Sequence, residues 1–277
     1  MSKTVGFAGL GNLGLPMALA LVDAGWSVTG YDPRASQVDA LVAGGGVAAS
    51  GVGDLASSVL ALAVPDDDAV RTLLLDEDLL ASVPDGGVVV VHSTVLPATA
   101  RSLGELAASR GVAFVDAPVS GGFERARAGS LTVMAGASAG SLELAQGYLD
   151  DVASDVVHVG APGSGAAAKL ANQLMMFAAL AGTHEALSLA ASYDVSVENV
   201  LTVASTSTGS SWVSQHWGFF DEVAAAYDAA GTAVPFRPWS KDLWEIVAAA
   251  RSADVSVPLA GLLAQTLAET VERHAHR

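Results

Sequence analysis

An α/β domain with a doubly wound, mostly parallel sheet, followed by an all-α domain joined through one long helix, is the fold class this sequence predicts. Three observations lead there. Short apolar strand candidates alternate with helical segments through the first 160 residues. The remainder is rich in Ala, Leu and Met, with few β-branched runs. The turn Ala161-Pro162-Gly163-Ser164-Gly165 separates the two regimes, which gives expected domains at 1–160 and 161–277. A chain of 277 residues, 51% hydrophobic, has enough apolar material for two cores.

Taken in order, Val5 to Ala8 is a compact apolar strand candidate, Leu13 to Ala24 has helical spacing and stops at Gly25, and Ser27 to Tyr31 is a second strand. The alternation continues with the apolar run Val59 to Val64, closed by Pro65, then a helix over Asp67 to Leu75 and the β-branched run Val88 to Val91. A helix over Thr99 to Arg110 and a short strand at Val112 to Val115 follow. Such alternation packs helices on both faces of a parallel sheet. Beyond Gly165 a single helical stretch is expected to reach Tyr193, with further helices after it.

Gly9-Leu10-Gly11-Asn12-Leu13-Gly14 is a G-x-G-x-x-G between the first strand and the first helix. In that context Gly9 makes the tight turn, Gly11 lets backbone approach a pyrophosphate, and Gly14 lets the helix pack on the strand, with Asn12 and Leu13 completing the turn. The helix start offers free N–H groups and the positive end of its dipole. Asp32 ends the second strand 18 residues after Gly14, where a carboxylate accepts from ribose hydroxyls and repels a 2′-phosphate. NAD is therefore expected, with NADP still possible because Arg34 is close enough in sequence to meet a phosphate. The first domain reads as a Rossmann dinucleotide-binding domain.

Composition removes several classes of function. There is no cysteine, so disulfides, thiolate metal sites and a cysteine nucleophile are excluded. A net charge of −16, with only 13 Lys and Arg, repels nucleic acid and anionic membrane. The N-terminus lacks the pattern of a signal peptide, and the apolar stretch Leu174 to Ala181 is broken by Gly182, Thr183, His184 and Glu185. A cytoplasmic protein with no membrane span is expected. No spacing makes a metal site, and the tail holding His274 and His276 reads as a solvated end.

Four motifs together resemble the β-hydroxyacid dehydrogenases, the family of 3-hydroxyisobutyrate dehydrogenase, tartronate semialdehyde reductase and L-threonate dehydrogenase. They are the glycine turn continued through Leu15-Pro16-Met17-Ala18, then Asp116-Ala117-Pro118-Val119-Ser120-Gly121-Gly122, then Gly163-Ser164-Gly165 leading to Lys169 and Asn172, and finally Lys241-Asp242-Leu243. The resemblance implies a nicotinamide-dependent oxidoreductase acting on a small β-hydroxy acid or its semialdehyde. It makes Lys169 the acid/base, a role that suits a lysine desolvated within an apolar helix. It assigns the substrate carboxylate to Ser120, Gly121 and Gly122, which follow a strand at the carboxyl end of the sheet. Asn172 and Gln173 stand three and four residues after Lys169, and either amide could orient the substrate. Cofactor contacts are expected from Val64, Pro65 and Thr94, and from Lys241 near the nicotinamide, while Asp242 is expected to brace the start of its helix.

Leu13, where many members carry methionine, and Gln173, where a second asparagine is common, depart from the family pattern. Trp212, Phe236 and Trp239 are expected in the core rather than the pocket. An imine reductase is the nearest alternative, although that group usually lacks the lysine. A 6-phosphogluconate dehydrogenase would need a longer second domain. A dinucleotide-binding regulatory protein without turnover would have no use for both Lys169 and Asn172. The expected partners are a small carboxylate substrate and further copies of the chain, as a homodimer or homotetramer.

Overall fold

The computed structural model describes residues 3–276 and divides into two compact units, Met1–Lys169 and Leu170–Arg277. The division falls inside the long helix, nine residues beyond the expected boundary, because the first turns of that helix are held by the sheet.

In the first unit β1 (Thr4–Ala8), α1 (Gly14–Asp23), β2 (Ser27–Tyr31), α2 (Ala35–Ala43) and β3 (Val47–Ala48) make the opening strand–helix–strand units. They are followed by β4 (Val59–Leu62), α3 (Asp67–Arg71), α4 (Leu79–Ser82), β5 (Val88–Val91), α5 (Pro97–Ser109) and β6 (Ala113–Asp116). The helix expected over Asp67 to Leu75 ends as α3 and continues as one wide turn over Thr72–Asp76. The chain goes on through β7 (Val119–Ser120), α6 (Gly122–Arg127), β8 (Leu131–Ala137), α7 (Ala139–Val152) and β9 (Ala153–Gly160).

The strand order is β3-β2-β1-β4-β5-β6-β8-β7, with β9 also paired to β8. From β3 to β6 every pairing is parallel, as expected. The extension was not anticipated: β6 and β7 both run antiparallel to β8, and β9 runs parallel to it. Central strands are buried on both faces. Val88 and Val90 join the core beneath α1 and α7, whereas Val89 and Val91 join the core beneath α4 and α5. This period-two alternation divides one valine run between two cores, each side chain contributing about 1.5–3 kcal/mol of burial.

The second unit contains most of α8 (Ser164–Ala191), then α9 (Val197–Ser205), α10 (Trp212–Gln215), α11 (Phe219–Ala229), α12 (Pro238–Ser252) and α13 (Pro258–Ala275). Trp239, Leu243, Ile246 and Ala250 form the inner stripe of α12 at helical spacing, facing Leu263, Leu267 and Val271 of α13 and Phe177 and Leu180 of α8. Trp239 is in the core as expected, but Trp212 and Phe236 are exposed. Arg237 is buried and donates to Glu272 at 2.8 Å, to Asp228 at 2.6 Å and to the Thr232 carbonyl at 3.0 Å. The C-terminal end is consequently not a loose tail. Asp228 also holds His276, Asp221 holds His274, and Glu272 accepts from the Trp239 indole.

By length and composition α8 is able to cross a bilayer, with a mean hydropathy of 1.3, contrary to the expectation that no stretch qualifies. Lys169, Asn172 and Gln173 place three polar groups near its start.

Candidate active site

The parallel strands β1, β2, β4, β5 and β6 end on the same side, and expected site residues of the first unit follow these five strand ends. After β1 the glycine turn is shaped by close approach. Gly9 has φ +89°, and a Cβ on it would stand 2.4 Å from the Ala63 carbonyl oxygen. A Cβ on Gly14 would be 1.9 Å from the Gly9 oxygen, so the start of α1 can sit on the turn only without a side chain there. At Gly11 a Cβ would meet nothing nearer than the Arg34 guanidinium at 3.6 Å, which leaves the space above that backbone open for a ligand. Asn12 and Leu13 are exposed, and no side chain caps α1. The uncapped amides give the turn the character of an anion site.

Asp32, past the end of β2, is buried and accepts from the Leu10 amide at 2.8 Å. It also accepts from the Arg34 amide at 2.9 Å and the Arg34 Nε at 3.0 Å. Burial alone pushes its carboxyl up, but the Arg34 side chain and the two amides outweigh this and hold it below the usual range. Asp32 is therefore ionised beside the turn, and half-exposed Arg34 is tethered to it. Past β4 the Val64 amide donates to the Ser93 hydroxyl at 2.9 Å, joining the Val64-Pro65 turn to the Ser93-Thr94 turn past β5. Thr94 is half-buried and Pro65 is exposed.

Past β6 the backbone turns through Ala117 and Pro118 into β7, and Ser120, Gly121 and Gly122 lead into α6. Gly121 at φ +143° and Gly122 at φ +72° adopt backbone that side chains disfavour, and all three residues are partly exposed. Lys169 is buried, and its Nζ donates to the Val119 carbonyl at 2.9 Å, one residue before Ser120. The structure thus brings the expected acid/base against the segment expected to bind the carboxylate.

Two residues with a part in this arrangement received no role in the sequence reading. Asp116 is fully buried at the end of β6. Its Oδ1 accepts from the Gly163 amide at 2.9 Å and its Oδ2 from the Ala166 amide at 2.8 Å. Burial pushes its carboxyl up to about 6 despite those bonds. Its signal was present in the motif that carries Ser120, but its partners lie 47 and 50 residues away. His92, just past β5, makes contacts of 2.7 Å from Nδ1 to the Ala117 carbonyl and 2.8 Å from Nε2 to the Tyr148 hydroxyl. Burial pushes it down to about 4. A carbonyl only accepts, so Nδ1 carries the proton of the neutral ring and Nε2 accepts from Tyr148.

In the second unit Gln173 is buried and donates to Asp242 at 2.7 Å. Asp242 also pairs with Lys241 at 3.3 Å, and Glu245 accepts from Lys241 at 2.7 Å. Asp242 therefore ties α12 to α8 instead of bracing the start of its own helix. Burial lowers the Lys241 pKa, but Asp242 and Glu245 outweigh it and the ammonium is held above its usual range. Asn172 is half-buried, one turn after Lys169 on α8. Among the described residues no cluster of His, Asp and Glu forms a metal site.

Comparison with known proteins matches the chain in two parts. The family described as the NAD binding domain of 6-phosphogluconate dehydrogenase matches residues 4–160, and the family described as NAD-binding of NADP-dependent 3-hydroxyisobutyrate dehydrogenase matches residues 163–277. The NAD-dependent L-serine dehydrogenase of Pseudomonas aeruginosa is 34% identical over 94% of this chain and 89% of its own. The 3-hydroxyisobutyrate dehydrogenase of the same organism is 34% identical over 95% and 90%. Among solved structures, Mycobacterium tuberculosis 3-hydroxyisobutyrate dehydrogenase with L-serine has a TM-score of 0.84 at 29% identity, covering 99% of this chain and 96% of that one.

Proposed function

Because the chain belongs to the β-hydroxyacid dehydrogenase family, we propose that it interconverts a small β-hydroxy acid and its carbonyl form, with Lys169 as the acid/base. The observation that carries this reading is the 2.9 Å bond from Lys169 Nζ to the Val119 carbonyl, which holds the amine beside Ser120-Gly121-Gly122. Bound NAD supplies the hydride acceptor in oxidation and the donor, as NADH, in reduction. Lys169 takes the hydroxyl proton in one direction and returns it in the other. The Ser120 hydroxyl and the Gly121 and Gly122 amides hold the substrate carboxylate.

Asn172 is the orienting amide, because the Gln173 amide is engaged by Asp242. Gln173 acts instead through Asp242 to hold Lys241, which serves the nicotinamide side of the cofactor. Gly9, Gly11, Asn12, Leu13 and Gly14 cradle the pyrophosphate, while Val64, Pro65 and Thr94 line the path of the dinucleotide. Asp32 receives the ribose hydroxyls and favours NAD, and Arg34 leaves NADP as the second cofactor.

The relatives act, by their names, on L-serine and on 3-hydroxyisobutyrate. Both carry a carboxylate and a hydroxyl on the carbon β to it, which is the pair of groups this site is built to take. The working form is a cytoplasmic homodimer or homotetramer, favoured by exposed Met175 and Leu189 on α8 and exposed Trp244 and Leu262 on the last two helices. The test is absorbance at the reduced-nicotinamide band, with NAD or NADP for L-serine, 3-hydroxyisobutyrate, glycerate and threonate, and with NADH or NADPH for tartronate semialdehyde. Turnover of at least one β-hydroxy acid is expected. Cofactor binding without turnover of any would favour a regulatory protein.

A further inference from the structure

We propose that Asp116 is a positioning residue for this reaction, fixing the first turn of α8 so that Lys169 and the Ser120-Gly121-Gly122 clamp are set by one backbone segment. The proposal rests on the reading of Lys169 as acid/base. The first amides of a helix have no partner within it, and here the Asp116 carboxylate receives those of Gly163 and Ala166. The surroundings are cut to fit that carboxylate. A Cβ on Gly136 would stand 2.3 Å from its Oδ1, and one on Gly165 would stand 2.9 Å from its Oδ2.

Lys169 follows Ala166 by three residues, about one turn, and ends on Val119, three residues after Asp116. The side chain of Asp116 and the carbonyl of Val119 thus grip α8 at two points one turn apart. The same strand end then runs directly into the carboxylate clamp. A slip of α8 by one residue would move Lys169 by about 1.5 Å along the helix axis and turn it by about 100°. Displacements of about 1 Å at a reacting group cost on the order of a hundredfold in rate. A carboxylate seat at the helix start therefore bears on rate through Lys169 without touching the substrate. His92 secures the next residue, Ala117, from the other side.

Asp116→Asn, made in the full chain, tests this, because the amide keeps the shape and one acceptor but turns a donor toward a backbone N–H. The expected result is a kcat about 100-fold lower, a larger primary deuterium isotope effect on kcat, an unchanged Kd for NAD, and faster amide exchange across residues 163–169. A variant with lowered Tm but unaltered kcat per folded molecule and an unaltered isotope effect would overturn the proposal. Should the variant not fold, exchange in the wild-type protein decides. Amides of Gly163 and Ala166 as protected as those of β5 support the seat, and unprotected ones refute it. Wild-type protein that turns over no β-hydroxy acid would refute the reading of Lys169 itself, a result distinct from either.

Discussion

The burial of His92 gives the stability of the first unit a term that is lost on acidification, and its size follows from that burial. His92 is held down at about 4, against 6.5 for an unstrained histidine. Below pH 6.5 the unfolded chain takes up a proton that the folded chain refuses until about pH 4. The unfolded state binds more protons in that window, so stability falls as the pH falls through it. The difference of about 2.5 pH units at 1.36 kcal/mol each gives about 3 kcal/mol.

Asp116 works in the opposite sense. With its pKa raised from 3.8 to about 6, its folded form binds the extra proton, so its contribution to stability declines as the pH rises from about 4 to about 6. The two terms largely mask each other in the wild-type protein, and a variant is needed to separate them. In His92→Gln the Asp116 term is retained and the histidine term is gone. Denaturant titrations followed by circular dichroism at pH 7, 6, 5 and 4 should show the stability gap between wild type and variant closing, or reversing, by about 3 kcal/mol toward pH 4. A gap that stays constant across that range would refute the assignment of a neutral, proton-refusing ring.

Two further substitutions probe the cofactor site and the second unit. Asp32→Ala removes the carboxylate and releases Arg34, so NAD should bind about 10- to 100-fold more weakly while NADP loses less; equal losses by isothermal calorimetry would remove the ribose assignment. Arg237→Ala removes the buried guanidinium shared by Glu272 and Asp228, and should lower the Tm of the second unit by several degrees. A shift of Tm near zero would show that the network carries no stability.

Much of the first unit was legible because its signals are local. The valine run Val88–Val91 and the strand Ser27–Tyr31 have the bounds their patterns predicted, and the roles of Gly9 and Gly14 follow from the turn they share. The antiparallel extension was not legible for a physical reason. β8 reads Leu-Thr-Val-Met-Ala-Gly-Ala, and Gly136 weakens its strand signal because that position must admit the Asp116 carboxylate. β9 is mostly exposed and so lacks an apolar run.

The site shows the same limit. Lys169 and Ser120 were found as parts of motifs, but the contact of Lys169 with Val119 spans 50 residues and that of Gln173 with Asp242 spans 69. No spacing in the sequence encodes such pairings, and Asp242 was accordingly placed at a helix start where it has no such duty. Local rules also misjudged the C-terminus, since the charges of Glu272, His274 and His276 read as solvated until their partners on α11 and Arg237 are known.

The account stands on Lys169, and turnover measured beside NAD affinity in Lys169→Ala tests it most directly. The predicted result is a loss of turnover on the order of 10²–10⁴-fold with the Kd for NAD nearly unchanged. Turnover that survives the substitution, or a loss that traces to failure to bind NAD, would contradict the assignment of Lys169 as the acid/base.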